Sequence, residues 1–583
     1  MAKGFLASSP PTRQSSGIQF AQIRDFTGGI NFRADQFQLA PNESPYAINV
    51  EVDPRGGIFS RAGYQKFNTA AISVNWKPKG MFNYKYPGNP HVMLTTGYES
   101  VGPFDGRVLF ATTSSPNDFT TLDSAASTPL NVKSPNGAGI AQWEDLLYIA
   151  LGKDATQMYK WEVGNTYATA LIASGPTWQQ YTLPVGGYMP RAELAISHAN
   201  KLFVANTYED GTAYPNRVRW SHENLPEDWY VDDYIDIIAG GEGITGLRVV
   251  DGQLLIFKPK AVYLLMGYDA DSFQLVEISK IVGSQYPQQS VEGNGGVYFF
   301  DYPNGVFFFD RNGLQNIFDR LSPIIVDNQV NAQAMDTATC SFVNERLWVS
   351  MPYDEEETGV PQTIPTVNFV FDPSIGTRGA FTMFQSASGY GLVSGCNWDD
   401  ADGETYHFMV NPDPNFEYVF LVDEYTAGNQ PVQDQDAVLE GATPSTGDFE
   451  TVYTTSWYYN DRYVQDKTFV KSLYVVRSVT ETTQIRVQVY HDFNQKDVAT
   501  THTIELAPIS TGGVYGTSVY GVGVYGLSVL REGIESGGRL KKAKAVQLQF
   551  IGPDVLFTNT PGKAWGINSI AYKFKSRKVR SQK

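Results

Sequence analysis

The sequence predicts an all-β fold, a degenerate β-propeller of six or seven blades followed by a β-sandwich-like domain, and three observations predict it. The 583 residues include 34 Tyr, 34 Phe and 54 Gly, a balance that favours strands and turns over helices. Apolar residues fall in short alternating or continuous runs closed by Gly, Asn, Asp or Pro, as in "GGVYFFDYPNGVFFFD" and "SFVNERLWVSM", which is the pattern of hairpins. Such units recur at roughly 50 residues, close to the length of a four-stranded propeller blade.

Taken in chain order, residues 1–25 are rich in Ser, Pro and Gly and read as an N-terminal arm that orders on a partner. Residues 26–78 read as N-terminal strands joining the platform, with a short helical turn near "NESPYAINV" capped by Asn42. The propeller is placed at 79–425, in look-alike units such as "SHANKLFVANTYED…NRVRWS" and "LRVVDGQLLIFKPKAVYLLMG". None carries a Trp-Asp or kelch signature. One small sheet cannot bury both its faces, and radial packing against neighbours supplies the missing core. The polar stretch 426–450 reads as a linker. In the β-sandwich-like domain at 451–583, "IRVQVYHDF" alternates cleanly, with Ile485, Val487 and Val489 on one face and Arg486, Gln488 and Tyr490 on the other.

Charge is distributed unevenly. The whole chain carries a formal −17, and the hundred residues 351–450 alone hold 18 Asp plus Glu against the single base Arg378. Residues 451–583 are basic, with 18 Lys plus Arg against 9 acids. A surface as acidic as the first repels phosphate backbones, whereas the second suits an acidic neighbour. No signal peptide and no membrane-spanning run is evident, so the expected product is made in a cytoplasm without a membrane span. Cys340 and Cys396 read as two buried thiols rather than a bridge.

Chemistry-bearing motifs are absent: there is no phosphate loop, nucleophile elbow, H-E-x-x-H or Cys-x-x-Cys, and the six histidines are scattered. The expectation is therefore no enzyme, no cofactor, no metal and no catalytic residue. "NWDDADGETY" at 397–406 lacks the register of a calcium loop and reads as an Asp-Gly hairpin turn. The acidic run "YDEEETG" at 353–359 offers paired carboxylates for glycoside cleavage or, in the preferred reading, a solvated or pore-lining charge run. Trp143, Trp161, Trp220, Trp229 and Trp348 are read as interior filling.

The stretches "GGINFRADQFQLAPNESPYAINVEVDPRGGIFSRAGYQKFN" (28–68) and "NKLFVANTYEDGTAYPNRVRWSHENLPEDWY" (200–230) resemble the tail nozzle and packaged-DNA stabilisation proteins of short-tailed bacteriophages. The matching positions are Gly28 to Asn31, Asn42, Glu43, Asn49, Val50, Arg61, Gly63, Asn216 to Ser221 and Pro226 to Trp229. The resemblance implies a structural virion protein: a homohexamer below the portal and adaptor, in contact with head-completion proteins and tail fibres. It would retain packaged double-stranded DNA and conduct it during ejection without sequence-specific binding, with host-surface contact at the tail tip. The alternative is a minor tail, receptor-binding or polysaccharide-degrading tail protein.

In the conduit reading, Asp354, Glu355, Glu356, Glu357, Asp399, Asp400 and Asp402 supply an acidic lumen. Lys573, Lys575, Arg577, Lys578 and Arg580 form a docking tail. Val-Tyr-Gly recurs three times at a spacing of five in "GGVYGTSVYGVGVYGLSVL" (512–530), where an odd spacing and many glycines suit a turning loop. Tyr515, Tyr520 and Tyr525 are then candidates for a gate or inter-subunit contact, a locally packed loop being the alternative.

Overall fold

The structure, a computed structural model, describes residues 19–35, 37–68, 72, 76–85, 92–99, 105–112, 119–124, 128–155, 157–162, 165, 168–170, 190–209, 211–269, 271–354, 362–376, 378–386, 388–399, 404–412, 418–422, 433–435, 446–459, 467–476, 483–506, 531–533, 542–552 and 565–576.

Among the described residues, seven four-stranded antiparallel units follow one another along the chain. Blades 1 to 6 begin on the strands Trp76–Tyr84, Gly139–Trp143, Arg191–His198, Gly246–Val250, Ser290–Gly293 and Thr339–Val343. Blade 7 takes Val393–Asp399, Thr405–Val410 and Val419–Leu421 from this stretch of chain, and its fourth strand, Gln65–Lys66, from the N-terminal side. That pairing joins the first and last parts of the ring.

Local sequence explains the hairpins. The turns Ala199–Asn200, Asp251–Gly252, Asn294–Gly295 and Asn344–Glu345 each put two consecutive residues at positive φ, between 47° and 73°. This is the type I′ geometry whose twist matches that of the flanking strands, and Asn, Asp and Gly reach it at least cost. Between the blades lie separate apolar cores. Leu147 and Ile149 meet Leu94 and Val108 between blades 1 and 2, and Trp229 lies fully buried between blades 2 and 3. Phe257 meets Phe299 between blades 4 and 5, and Trp348 fills the gap between blades 6 and 7. The ring closes where Met93 of blade 1 packs with Trp398 and Phe408 of blade 7.

The sandwich is built from both ends of the chain. One sheet runs Arg531–Gly533, Lys467–Val476, Gly566–Ser576, Ile58–Ser60, Val50–Val52, and Gln19–Ile23 also pairs with Gly566–Ser576. Gln19–Ile23 thus places a strand inside the stretch expected to be an arm, with Ile23 in the shared core. The facing sheet contains Tyr46–Ile48, Thr451–Thr454, Val546–Gly552, Thr483–His491 and Thr500–Leu506, and it is continuous with blade 6. The bridge is Tyr46–Ile48, parallel to Ala380–Phe384 on one side and antiparallel to Thr451–Thr454 on the other. The helical turn expected near Asn42 is therefore replaced by strands, because the main chain of 46–48 is needed on both sides by its neighbours.

Ile485, Val487 and Val489 face the sandwich core together with Leu548, Phe550, Phe469, Ile570 and Phe574. Tyr490, on the opposite face, is also buried, in a small outer cluster with Trp457 and Ala545. The stretch read as a linker contains the paired strands Gln433–Gln435 and Thr446–Asp448.

Candidate functional site

Propeller geometry brings the seven innermost strands around one axis, and a cavity of 220 Å³ lies there, bordered by residues of every blade. Gly139 permits the close approach of blades 2 and 3: a Cβ at this position would come within 2.8 Å of the Glu193 carbonyl oxygen. The lining mixes apolar side chains such as Met81, Phe82 and Leu247 with polar ones. Lys79 of blade 1 is almost wholly buried and ion-pairs with Asp336 at 3.4 Å. Burial pulls its ammonium below the ordinary lysine range, against the raising effect of Asp336.

Arg248 of blade 4 donates from Nε to the Ser290 carbonyl at 3.0 Å, from Nη1 to that of Leu247 at 2.7 Å and from Nη2 to that of Pro287 at 2.8 Å. Gln288 donates its amide nitrogen to the Asp336 carbonyl at 2.8 Å, which fixes the orientation of the amide. Blade 6 contributes Thr339, Cys340 and Ser341. Both cysteines are buried and free, and burial pushes each thiol up to about 12, so neither is a thiolate nucleophile at neutral pH.

A second concavity, 620 Å³, opens beside blades 5 and 6 and is lined by Tyr302, Asp327, Gln329, Asn331, Asp354 and Gln362 among others. Carboxylates and amides dominate it.

The sequence-predicted residues are dispersed. Asp354 borders the second concavity, and its backbone N–H donates to Gln329 at 2.8 Å. Asp399 ends the first strand of blade 7, where it pairs with Lys85 at 2.7 Å and accepts from Thr405 at 2.7 Å. Neither lines the axial cavity of the propeller. The hairpin reading of 397–406 agrees with the strands that flank it, which pair from Asp399 with Thr405. Lys573 and Lys575 lie within the sandwich strand Gly566–Ser576, not in a free tail. Glu355, Glu356, Glu357, Asp400, Asp402, Arg577, Lys578, Arg580, Tyr515, Tyr520 and Tyr525 lie outside the described residues.

The motif positions carry architecture. Asn49, at φ 56°, accepts on one side-chain oxygen from Arg61 Nε and from the Gln385 backbone N–H, both at 2.9 Å, and donates to the Glu450 carbonyl at 2.9 Å. Arg61 is 1% exposed, donates to the carbonyls of Ala62 and Gln385 at 2.8 Å each, and has the rings of Tyr64 and Phe449 at 3.9 and 3.6 Å. These two residues knot the N-terminal strands, blade 6 and the entry to the sandwich into one joint. Gly29, at φ 64°, lies so close to blade 6 that a Cβ would meet the Phe381 carbonyl oxygen at 2.8 Å. Glu43 accepts from Asn31 at 3.0 Å and faces Arg320 at 3.5 Å, tying the same joint to the segment between blades 5 and 6.

The second motif reinforces blade 3. Arg219 grips Glu209 through two N–H···O bonds of 3.2 and 2.9 Å. Arg217 reaches the same carboxylate at 3.1 Å and binds Asp236 in a bidentate pair at 2.8 and 2.9 Å, with Tyr214 and Tyr234 each 3.8 Å from its guanidinium. Trp220 and Trp229 bury themselves on the two faces of that blade.

Among the described residues, no cluster of His, Cys, Asp and Glu is placed to hold a metal ion, and no helix is long and apolar enough to cross a membrane. No family model matches the chain, and no curated protein matches it. Among solved structures, the chain is similar to the Dos1 propeller at 10% identity and a TM-score of 0.35, over 66% of this chain and 94% of that one. It is similar to AztD from Citrobacter koseri at 8% identity and a TM-score of 0.31, over 63% of this chain and 95% of that one. A puromycin-hydrolysing peptidase of Mycobacterium tuberculosis gives 10% identity and a TM-score of 0.30, over 68% of this chain and 61% of that one.

Proposed function

We propose that the protein is a structural component of a bacteriophage tail, a hexameric nozzle that retains packaged DNA and conducts it during ejection. The observation that carries this reading is where the matching residues lie. Asn49, Arg61, Arg217 and Trp229, which give the sequence its resemblance to nozzle proteins, are among the residues that lock propeller to sandwich and stiffen blade 3. A resemblance resting on architecture-bearing positions extends to the architecture, and a ring under internal pressure needs a subunit that does not hinge between its domains.

Charge supports the same reading. The acidic stretch 351–450 spans the later strands of blade 6, three of the four strands of blade 7 and the entry to the sandwich. The excess is therefore concentrated in one stretch of the chain. Six copies that turn this stretch inward make a bore that repels a polyanion and lets it slide, whereas many Lys and Arg contacts would hold it. The lumen is then formed between subunits, not by the axis of any single propeller.

A second reading, a tail protein that recognises surface polysaccharide, is favoured by the 620 Å³ concavity, whose carboxylates, amides and Tyr302 suit neutral hydroxylated ligands. Gold-labelled antibody against the chain separates the two in particle micrographs. The nozzle reading expects label on the tail axis beneath the head; label on radial appendages, or none on particles, contradicts it.

A further inference from the structure

Exposed apolar side chains are concentrated on one part of the molecule. Among the described residues, eleven large apolar side chains are exposed, and eight of them fall between Leu225 and Ile281, in blades 3 and 4. Their placement repeats. The outermost strands of the two blades, Tyr234–Asp236 and Gln274–Ser279, each have at least one such side chain before, within and after them. These are Val231, Tyr234 and Ile238 in blade 3 and Tyr268, Val276 and Ile281 in blade 4, with Ile238 and Ile281 75% and 76% exposed. The band runs the height of the rim across two adjacent blades. Single exposed apolar residues need no explanation, whereas a band of them marks a contact surface. The same rim is acidic: residues 221–245 hold seven Asp and Glu and no Lys or Arg. Asp232, Glu242 and Asp271 are exposed there.

We propose that this rim docks the basic end of the sandwich of a second copy. Charge selects the partner. In the sandwich, Lys467 pairs with Ala543 on one side and Ser576 on the other, so the exposed Lys544 and Lys575 next to them share one end of the sheet. From Ser576 the chain runs on through residues 577–583, which hold four Lys and Arg and no acid. Burial of the apolar band supplies affinity, and opposite charge sets the partner and its orientation. The sandwich joins the ring at blade 6 and blade 3 lies across from it, so one copy offers its rim and its sandwich on different sides. A contact between two unlike surfaces is heterologous, and it closes into a ring or runs on as a chain. The nozzle reading needs a ring without saying which surfaces form it, and this contact stands without any tail role.

Sedimentation velocity on the full-length protein tests this, and the parent is expected to self-associate. Ile238→Asp with Ile281→Asp spoils the rim, and Lys544→Glu with Lys575→Glu spoils the sandwich end. All four positions are exposed, so both double variants are expected to keep the far-UV circular dichroism spectrum of the parent. In each, the dissociation constant for self-association is expected to rise at least about tenfold. Each variant retains one good surface, so an equal mixture of the two is expected to form a one-to-one dimer and nothing larger. Carbodiimide cross-linking of the parent, which depends on no variant, is expected to join Lys544 or Lys575 to Asp232, Glu242 or Asp271 in its dimer band. A parent that stays monomeric, unchanged association in either folded variant, a mixture that forms no dimer, or dimer cross-links that avoid these residues overturns the proposal. None of these results bears on where the protein lies in a particle, which the gold label reports.

Discussion

Arg61 shows how much one side chain holds in this molecule. Its guanidinium lies between Tyr64 and Phe449 and satisfies Asn49 and the carbonyls of Ala62 and Gln385, all in the joint between propeller and sandwich. Arg61→Ala removes the cation–π contacts and strands buried acceptors, and it is expected to destabilise the protein by about 3–5 kcal/mol in urea denaturation. Arg61→Lys recovers less than half of that, since an ammonium cannot span the same fork of acceptors.

Asp301 offers a second residue-scale test. Burial pushes its carboxyl up to about 6 from an ordinary 3.8, even though Asn304 donates to it at 2.6 Å. A carboxyl raised on folding contributes stability that is complete below the unfolded pKa and lost as pH rises through the folded one. Going from about pH 4 to about pH 8 should therefore cost the parent about 2 kcal/mol at this site. Asp301→Asn cannot ionise, so the advantage of the variant over the parent is expected to grow across that interval. Parallel stability curves for the two proteins would remove Asp301 as the cause.

Among the elements, Gln65–Lys66 has an effect out of proportion to its two residues. It supplies the outer strand of blade 7, bonds Phe67 N–H to the Val419 carbonyl at 2.8 Å and sets the Lys66 ammonium 3.3 Å over Tyr418. Phe67→Pro removes that donor from this short ladder. Hydrogen exchange is expected to quicken by about tenfold or more across Val393–Asp399 and Thr405–Val410, while Val546–Gly552 in the sandwich keeps its protection. Equal loosening of both regions would mean that the closure and the sandwich unfold as one unit.

The hairpins were legible in the sequence because period-two alternation and turn residues act locally. "VDGQ" and "GNGG" specify their turns whatever surrounds them. Gln65–Lys66 was not legible, since its partner lies more than 350 positions away and two polar residues carry no periodicity. The same holds for Tyr46–Ile48, read as a helical turn, whose conformation is set by strands on either side. The axial cavity was equally hidden: each inner strand gives it only a few residues, and Glu193, Gln288 and Ser394 have no common motif. Val-Tyr-Gly at 512–530 stands out in the sequence for the opposite reason, a local repeat, and lies outside the described residues.

For the molecule as a whole, the propeller and the sandwich share a sheet of nine strands, so the two bodies are joined by main-chain hydrogen bonds as well as by the Arg61 joint. Such a subunit transmits force without a hinge, as the conduit account requires. The account also requires that the acidic stretch 351–450 face an inter-subunit bore. Under the conduit proposal, deleting 513–526 bears on the gate: if the three tyrosines of that stretch close the bore, particles are expected to assemble but lose DNA before contact with a host, and full retention of the genome removes that role.

A cryo-electron microscopy reconstruction of the purified oligomer tests the central claim most directly. The account predicts a closed ring of six copies whose bore is wide enough for double-stranded DNA and is lined by carboxylates of residues 351–450. A monomer, or a ring with that stretch on its outer surface and a cationic bore, would contradict it.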